Sequence, residues 1–502
     1  PTVVAAPSVE LPRFVARMQG IRAVYAVHPG DTTPSMADPQ AQCQDGDCRW
    51  SCNLAPDNGV AIRRTGNQPL PGAREDSIDG IGQTRRALES LSGFPAPAAV
   101  WESNLLPARV EGYRPSYLDE LLAAGEVIWY GTGYATIAFV TVDDFEAFAS
   151  QTRSSLLPPD SAPEDFLTIR DRTGFPIAEA ETALWKEIWN GAISSTDFGA
   201  VRLAITRGFK PVTASGYDGG NLAAGGRYGV RTRELDGQGA ATGRPIRVPL
   251  AVRSRWKTGV PVGGSWYALA PGHSGYEDKL DDMEKAVVRA RAVARRYGIV
   301  CREVLEAEHE SCRWSVLFPA LRRLELSGDF VTGHFFDTIA GPQFMSQDAY
   351  RQFCEARADD MVWVVNATDP ASPCITRVPE RPTESGSATI GPTAPTMPST
   401  QTRSFRIALP SRTASSWIVM QGTAPVCVGR RYWKDLDIAV SPDDPLFETI
   451  IGIIKKARAG IVVPGRRLSV ETINGVQAAA SAYAERLRNA GFDADRGVLT
   501  LW

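Results

Sequence analysis

The sequence predicts an α+β protein: three tandem helix-then-hairpin units followed by a small C-terminal β-barrel-like α+β domain. Three observations carry that reading. One phrase recurs at 118–127, 184–193 and 321–330, each copy placing a leucine seven residues before a glycine and an apolar residue two after it. Residues following the first glycine then alternate apolar and polar, as the two strands of a hairpin do. Finally, a Pro/Ser/Thr/Gly-rich stretch at 379–402 separates these units from a run of short β-rich segments. Glycine leaves a helix through a left-handed turn without steric penalty, so Gly125, Gly191 and Gly328 read as helix stops feeding a β-ribbon. A helix that ends so and runs directly into a ribbon is the second half of a winged-helix unit. Three such units form a tandem array suited to nucleic acid.

Taken in order, residues 1–80 hold a short start and a cysteine-containing insertion. The first winged helix spans 81–148, with helices expected at 83–91, 98–110 and 116–124 and strands at 126–130 and 134–141. The second covers 162–206. Residues 207–264 are rich in glycine, arginine and small polar residues, with Asp218-Gly219-Gly220 and Ala224-Gly225-Gly226 as turn chemistry, which argues a loop-rich insertion. The third winged helix spans 265–378: a charged amphipathic helix at 277–297, then 301–309, a helix at 314–327 and a hairpin through Gly333 and Gly341. The stretch 379–402 has too few apolar groups to offset the entropy of ordering it and reads as a linker. In 403–502, short strands at 404–409, 416–421 and 425–430, helices at 445–459 and 476–490, and a last strand at 497–502 make the closing domain.

At 502 residues the chain is long enough for about three or four domains of about 100–200 residues each. Its apolar fraction of 43% and charged fraction of 22% are those of an ordinary soluble globular protein. Net charge is -3, so any phosphate-binding surface must be local. No apolar run approaches the roughly 20 residues that span a bilayer. Eight cysteines over the whole chain make no disulfide framework and point to a reducing cytoplasm.

Helical spacing in the third unit puts Leu317, Ala320, Leu321 and Leu324 on one face and Ser315, Pro319, Arg322 and Arg323 opposite. A recognition helix needs an exposed face that is polar and basic, with short hydroxyls near the N-terminus where amides can meet phosphate. Arg313, Ser315, Arg322 and Arg323 are therefore candidate DNA contacts, although an ordinary solvated face would also carry adjacent arginines. His334 and Gln343 fall in the expected wing, where a polar side chain could read base edges coarsely or simply stand in a hairpin without a partner. Breaking an N-glycosidic bond develops positive charge on the sugar, so a base-excising site wants a carboxylate near that charge or near a water. Asp369, Asp493 and Asp495 are the candidates, and each also fits a cap or turn.

Other chemistries find little support. No phosphate-binding G-x-x-x-x-G-K-[ST] motif occurs, and Gly131-Thr132-Gly133 lacks the third glycine and the strand-to-helix setting of a dinucleotide fingerprint. Gly272-His273-Ser274-Gly275 misses the nucleophile-elbow spacing by one residue. Only four histidines are present, far apart, which disfavours a serine or cysteine triad. Cys43, Cys48 and Cys52 with His28 could supply zinc ligands, but without the paired C-x2-C spacing, and free thiols are the expected state. The sequence thus implies no metal or cofactor.

Trp101-Glu102-Ser103, Leu106-Pro107-Ala108-Arg109-Val110, Tyr113-Arg114-Pro115 and Leu118-Asp119-Glu120-Leu121 together resemble phrases in the C-terminal region of the large helicase-related protein family, Lhr. Further along stand Ala183-Leu184-Trp185 through Trp189-Asn190-Gly191, Gly264-Ser265-Trp266, Arg296-Tyr297-Gly298-Ile299-Val300, Trp314-Ser315, Gly341-Pro342-Gln343-Phe344 and Asn366-Ala367-Thr368-Asp369-Pro370. Leu11-Pro12-Arg13-Phe14 looks like the stretch before the first unit, and Ile473-Asn474-Gly475 and Gly491-Phe492 continue the match near the end.

The resemblance implies a region of tandem winged helices and a β-barrel that follows an ATP-dependent helicase motor, is similar to AlkZ-type DNA glycosylases, and in some members is linked to uracil removal and oligomerisation. On that basis the expected partners are single-stranded or damaged DNA, further copies of the chain, and the motor, which the missing phosphate-binding motif places outside these residues. The expected activity is excision of uracil or a damaged base, or else DNA binding and scaffolding alone. Three departures stand out: insertions at 22–78, 207–264 and 379–402; Ser194-Ser195-Thr196-Asp197 where the family has Thr-Asn-Asp-Thr; and no paired-glutamine signature.

Overall fold

The computed structural model describes residues 5–22, 75–148, 152–159, 162–209, 262–269, 279–355, 360–375, 407–459 and 468–501. Most of the insertion at 22–78, most of that at 207–264 and the linker at 379–402 lie outside them, as do Cys43, Cys48, Cys52 and His28.

All three phrase glycines are left-handed, with φ of +70° at Gly125, +72° at Gly191 and +82° at Gly328. Each one stops a helix: Pro115–Ala123, Ile177–Trp189 and Trp314–Leu326. A side chain at such a φ would press on the backbone, so these positions define where helix gives way to strand.

In the first unit the helix Glu75–Ser90 leads to a tight turn of helix through Ala98–Val100 and a π-type turn at Trp101–Leu105, shorter than the continuous helix expected there. Proline opens Pro115–Ala123, where its missing N–H costs nothing. Strands Val127–Gly133 and Thr136–Thr141 pair antiparallel as the wing, and Ala96–Pro97 adds a short third strand. Trp101, Trp129 and Phe139 fill the space beneath, with Trp101 edge-on to Phe139 at 4.7 Å.

The second unit is built differently from the expected span. Strand Ser265–Ala268 pairs antiparallel with both Glu164–Asp165 and Ile193–Ser195, so the residues just after the Gly-rich insertion complete this unit rather than begin the next. Ser194 and Ser195 also fasten it to the first wing: Ser194 Oγ donates to the Trp129 carbonyl at 2.6 Å, and Trp129 Nε1 donates to the Ser195 carbonyl at 3.1 Å.

The third unit comprises Lys279–Tyr297, Arg302–Leu305, Trp314–Leu326, the hairpin Phe330–Gly333 with Gln343–Ser346, and Gln347–Glu355. Against it packs the helix Leu11–Met18 from the start of the chain; a Cβ on Gly298 would lie 2.6 Å from Met18 Cγ and 2.7 Å from a Phe14 ring carbon. Ala6 extends the contact by exchanging backbone hydrogen bonds with Phe335 and Asp337.

Beyond the array, strand Val362–Asn366 pairs with Trp417–Gln421, which continues through Ala424–Arg430, Asp435–Ile438, Thr472–Ile473 and Val476–Gln477 into a six-stranded sheet. Its end strands, Val362–Asn366 and Val476–Gln477, do not pair with each other. Among the described residues the sheet is therefore open, and the barrel-like expectation is corrected to a mixed sheet with the helix Pro445–Ala459 and a separate three-stranded sheet. Closure would need those two edges to meet, which no local strand signal encodes. The period of two explains why this sheet reads as near-continuous apolar runs. Trp363, Val365, Ile418 and Met420 join the core of the winged array, while Val362, Val364, Trp417 and Val419 pack on the C-terminal core.

Candidate nucleic-acid interface

Of the three helices that end at the phrase glycines, the first is covered. Arg202, on the second unit's helix Gly199–Arg207, reaches back to Glu102 at 2.7 Å, to Asp119 at 2.9 Å and to the Pro115 carbonyl at 3.2 Å. Burial opposes its charge, yet the hydrogen bonds to Glu102 and Asp119 outweigh burial and raise its pKa above the ordinary guanidinium value. Glu102 also accepts from the Tyr113 hydroxyl at 2.7 Å, and burial together with that carboxylate drives the phenol pKa upward. The start of Pro115–Ala123 is thus occupied by protein.

The third unit's helix is open. Leu317, Ala320, Leu321 and Leu324 are buried, as their spacing required, and Ser315, Val316, Pro319, Arg322, Arg323 and Leu326 face solvent, Leu326 with 81% of its surface exposed. Among the described residues no side chain caps the N-terminus; the Val316 and Leu317 amides donate to the Arg313 carbonyl, which leaves those of Trp314 and Ser315 to meet an anion. Arg322 pairs with Glu325 one turn on, and Arg313 lies 3.4 Å from Glu310 with both side chains well exposed. Among the described residues Arg323 makes no ion pair. Apolar Val316 and Leu326 interrupt the cationic character, so the face is mixed rather than purely basic.

His334 stands exposed where strand Phe330–Gly333 ends. Gln343 does not. It is fully buried; its Oε1 accepts from the Phe335 and Phe336 amides, both at 2.9 Å, and its Nε2 donates to the Phe336 and Ile339 carbonyls at 2.9 and 3.1 Å. All of its amide capacity closes the loop between the hairpin strands, which corrects the expectation that it reads base edges.

The three candidate carboxylates are not brought together. Asp369 is buried against Arg109, which holds both of its oxygens, and Asp369 Oδ1 also accepts from the Ala371 amide at 2.8 Å. With almost no solvent access and both oxygens engaged by Arg109, it is corrected from a water-activating candidate to a structural anchor. Asp493 and Asp495 lie exposed on the outer strand of the three-stranded sheet, paired with Thr500 and Val498. Among the described residues no group of three or more His, Cys, Asp or Glu could hold a metal ion, and no helix is long and apolar enough to cross a membrane.

Sequence reasoning missed Arg202. Arg202 carries no local signal, since its acceptors lie on another unit.

Comparison with known proteins agrees with the first and third units. A family model described as large helicase-related protein, winged-helix domain, matches residues 65–142, and a second of the same description matches 279–363. Winged-helix domains of that type therefore stand at the first and third units. A protein from Escherichia coli strain K12 named Lhr helicase/uracil glycosylase is 28% identical over 298 residues, covering 55% of this chain and 17% of that protein. One from Mycolicibacterium smegmatis, named Lhr helicase/probable uracil glycosylase, is 27% identical over 320 residues, covering 59% and 19% respectively. The matched stretch thus spans less than a fifth of either relative. The solved structure of Streptomyces sahachiroi DNA glycosylase AlkZ aligns over 78% of this chain and 97% of that one at 12% identity, with a TM-score of 0.36, too low to bear on fold or activity.

Proposed function

We propose that this chain is a DNA-binding part of an Lhr-type repair helicase, engaging single-stranded or damaged DNA through the open face of Trp314–Leu326. The observation that carries the proposal is the contrast between two helices of like position. Arg202 closes the first, whereas Arg313, Ser315 and Arg323 leave the third exposed with an uncapped N-terminus. Phosphate contact by guanidinium and helix amides would fix the duplex or strand, with His334 at its flank. The remainder of the assembly, a helicase motor and further copies of the chain, belongs to the same proposal.

Uracil excision extends it. The names of both relatives, a uracil glycosylase and a probable one, support that reading. The chemical step would be hydrolytic, with a carboxylate activating water or stabilising the oxocarbenium ion. With Asp369 engaged by Arg109, Asp493 and Asp495 remain as the carboxylates to test. The competing reading is a binding scaffold without chemistry, and it is favoured by one observation: neither remaining aspartate is enclosed in the way a flipped base requires. A single-turnover assay on uracil-containing single-stranded DNA, followed by alkaline cleavage of abasic sites, separates the two. Abasic product lost in Asp493→Asn or Asp495→Asn supports excision; DNA binding without product leaves the scaffold. Absence of binding at low salt would overturn the proposal as a whole.

A further inference from the structure

We infer that Tyr134 is a stacking residue, offering a free ring face to an unstacked nucleobase of single-stranded DNA at a second point on the array. The inference rests on the DNA-binding reading and adds to it a site far from the Trp314–Leu326 helix in sequence.

Tyr134 sits at the tip of the first wing and is 71% exposed, more than any other aromatic residue among those described. It is held out rather than merely left out. The Ala98 amide donates to the Ala135 carbonyl at 2.8 Å, and Thr136 Oγ1 donates to the Tyr134 carbonyl at 3.2 Å. Ala135 has φ +54°, a left-handed conformation that a residue with a Cβ adopts at a cost. The wing itself is braced against the second unit: a Cβ on Gly131 would lie 2.0 Å from the Ile188 carbonyl oxygen, so the strand backbone rests directly on the end of Ile177–Trp189 and carries the tip past it.

Ring geometry leaves the stacking position vacant. Trp189 and Phe209 meet Tyr134 at steep angles, 62° with centroids 6.1 Å apart and 64° at 6.4 Å. Behind them Trp185 and Trp189 stack on each other at 5.1 Å and 22°. Among the described residues neither neighbour stacks on the tyrosine, and 71% of its surface meets solvent. Lys186 and Arg207, exposed on the two helices that lead to Trp189 and Phe209, make no ion pairs among the described residues. A single projecting aromatic with cations nearby suits a nucleic-acid strand, in which bases stack and phosphates follow alongside. A protein partner would instead call for a broad apolar surface, and Trp189 here is already buried.

The test measures binding of the full chain and its Tyr134→Phe, Tyr134→Leu and Tyr134→Ala variants to an oligo-dT strand and to a duplex of equal length. Fluorescence of a strand carrying 2-aminopurine is recorded in parallel. Stacking predicts that Phe retains single-strand affinity and that Leu and Ala lose about 5- to 100-fold, with the 2-aminopurine quench lost and duplex affinity and salt dependence unchanged. Equal single-strand affinity for all four proteins overturns the inference and leaves the DNA-binding reading standing. Loss of self-association in Tyr134→Ala, without a change in DNA affinity, also overturns it and assigns the tip to a contact between copies. If the unsubstituted chain binds neither strand nor duplex, both readings fall.

Discussion

Arg109 and Asp369, 260 residues apart, meet in a two-point ion pair with Nη1 to Oδ2 at 2.9 Å and Nη2 to Oδ1 at 3.0 Å, both side chains almost wholly buried. Arg109 also donates to Gln19 and to the Leu105 carbonyl, and Gln19 passes the connection to the Arg296 carbonyl at 2.6 Å. One guanidinium thus joins the initial helix, the first unit, and the turn that follows the first strand of the C-terminal sheet.

Removing one partner leaves the other charge buried and unpaired. Asp369→Asn and Arg109→Met are each expected to lower stability by about 3–5 kcal/mol, and Arg109→Met with Asp369→Leu together to recover a large part of it. Urea denaturation of the four proteins checks this. Unchanged abasic-site formation per folded Asp369→Asn molecule would agree with a structural role, and complete loss with retained stability would contradict it.

Arg202 supports a second prediction. Arg202→Ala should destabilise by about 1.5–3 kcal/mol, because Glu102 and Asp119 lose a charged donor. Arg202→Lys should recover only part, since one ammonium cannot span the positions a fork reaches. Thermal unfolding of the three proteins reads the difference.

For the open helix, Arg323→Ala should weaken DNA binding and reduce the slope of log affinity against log salt by about 1. Gln343→Ala should instead cost about 1–3 kcal/mol of stability through unpaired loop amides and carbonyls, with the salt slope unaltered. Fluorescence anisotropy across a salt series, alongside melting curves, distinguishes contact from loop support.

Acid should loosen the C-terminal domain. Asp435 is held below the usual carboxylate range by its hydrogen bond from Arg431 at 2.5 Å, and Glu471 by Lys434 at 2.7 Å and then Arg431 at 2.6 Å. Because folding lowers these pKa values, the stabilisation is fully present above the unfolded carboxylate value of about 4 and disappears as pH falls through the folded one. Arg431→Ala should therefore flatten the decline of the urea midpoint below about pH 4. An identical pH profile in the variant would count against this linkage.

Buried thiols should be inert. Burial pushes Cys301 and Cys312 up to about 12, so at pH 8 they are thiols rather than thiolates. Alkylation of the native protein followed by peptide mass mapping should show Cys354 modified before either of them, and early labelling of Cys301 or Cys312 would mean the unit opens locally.

Periodicity made much of the fold legible. Leu317, Ala320, Leu321 and Leu324 are buried as a helical stripe should be, and a strand begins two residues after each phrase glycine, opening a hairpin in the first and third units but not in the second. The strand Ser265–Ala268 was visible as a boundary, yet its membership in the second unit was not, because its partners lie before the insertion. Asp369 fits the turn it makes with Ala371 locally, but nothing in Asn366-Ala367-Thr368-Asp369-Pro370 announces an arginine 260 residues earlier. Gln343 was read correctly as a hairpin residue and incorrectly as an exposed one, since whether an amide points into its loop depends on the path of the intervening backbone.

What the sequence by itself determined is where helices stop, where the strands after them start and which helix stripes are apolar, because left-handed glycines and side-chain periodicity act within a few residues. Only the tertiary structure decided which polar faces remain available. Arg202 covers one helix start, Arg109 claims Asp369, and the bracing of Gly131 on Ile188 carries Tyr134 into solvent. Such pairings depend on how separate units dock, and docking geometry leaves no mark on the spacing of neighbouring residues.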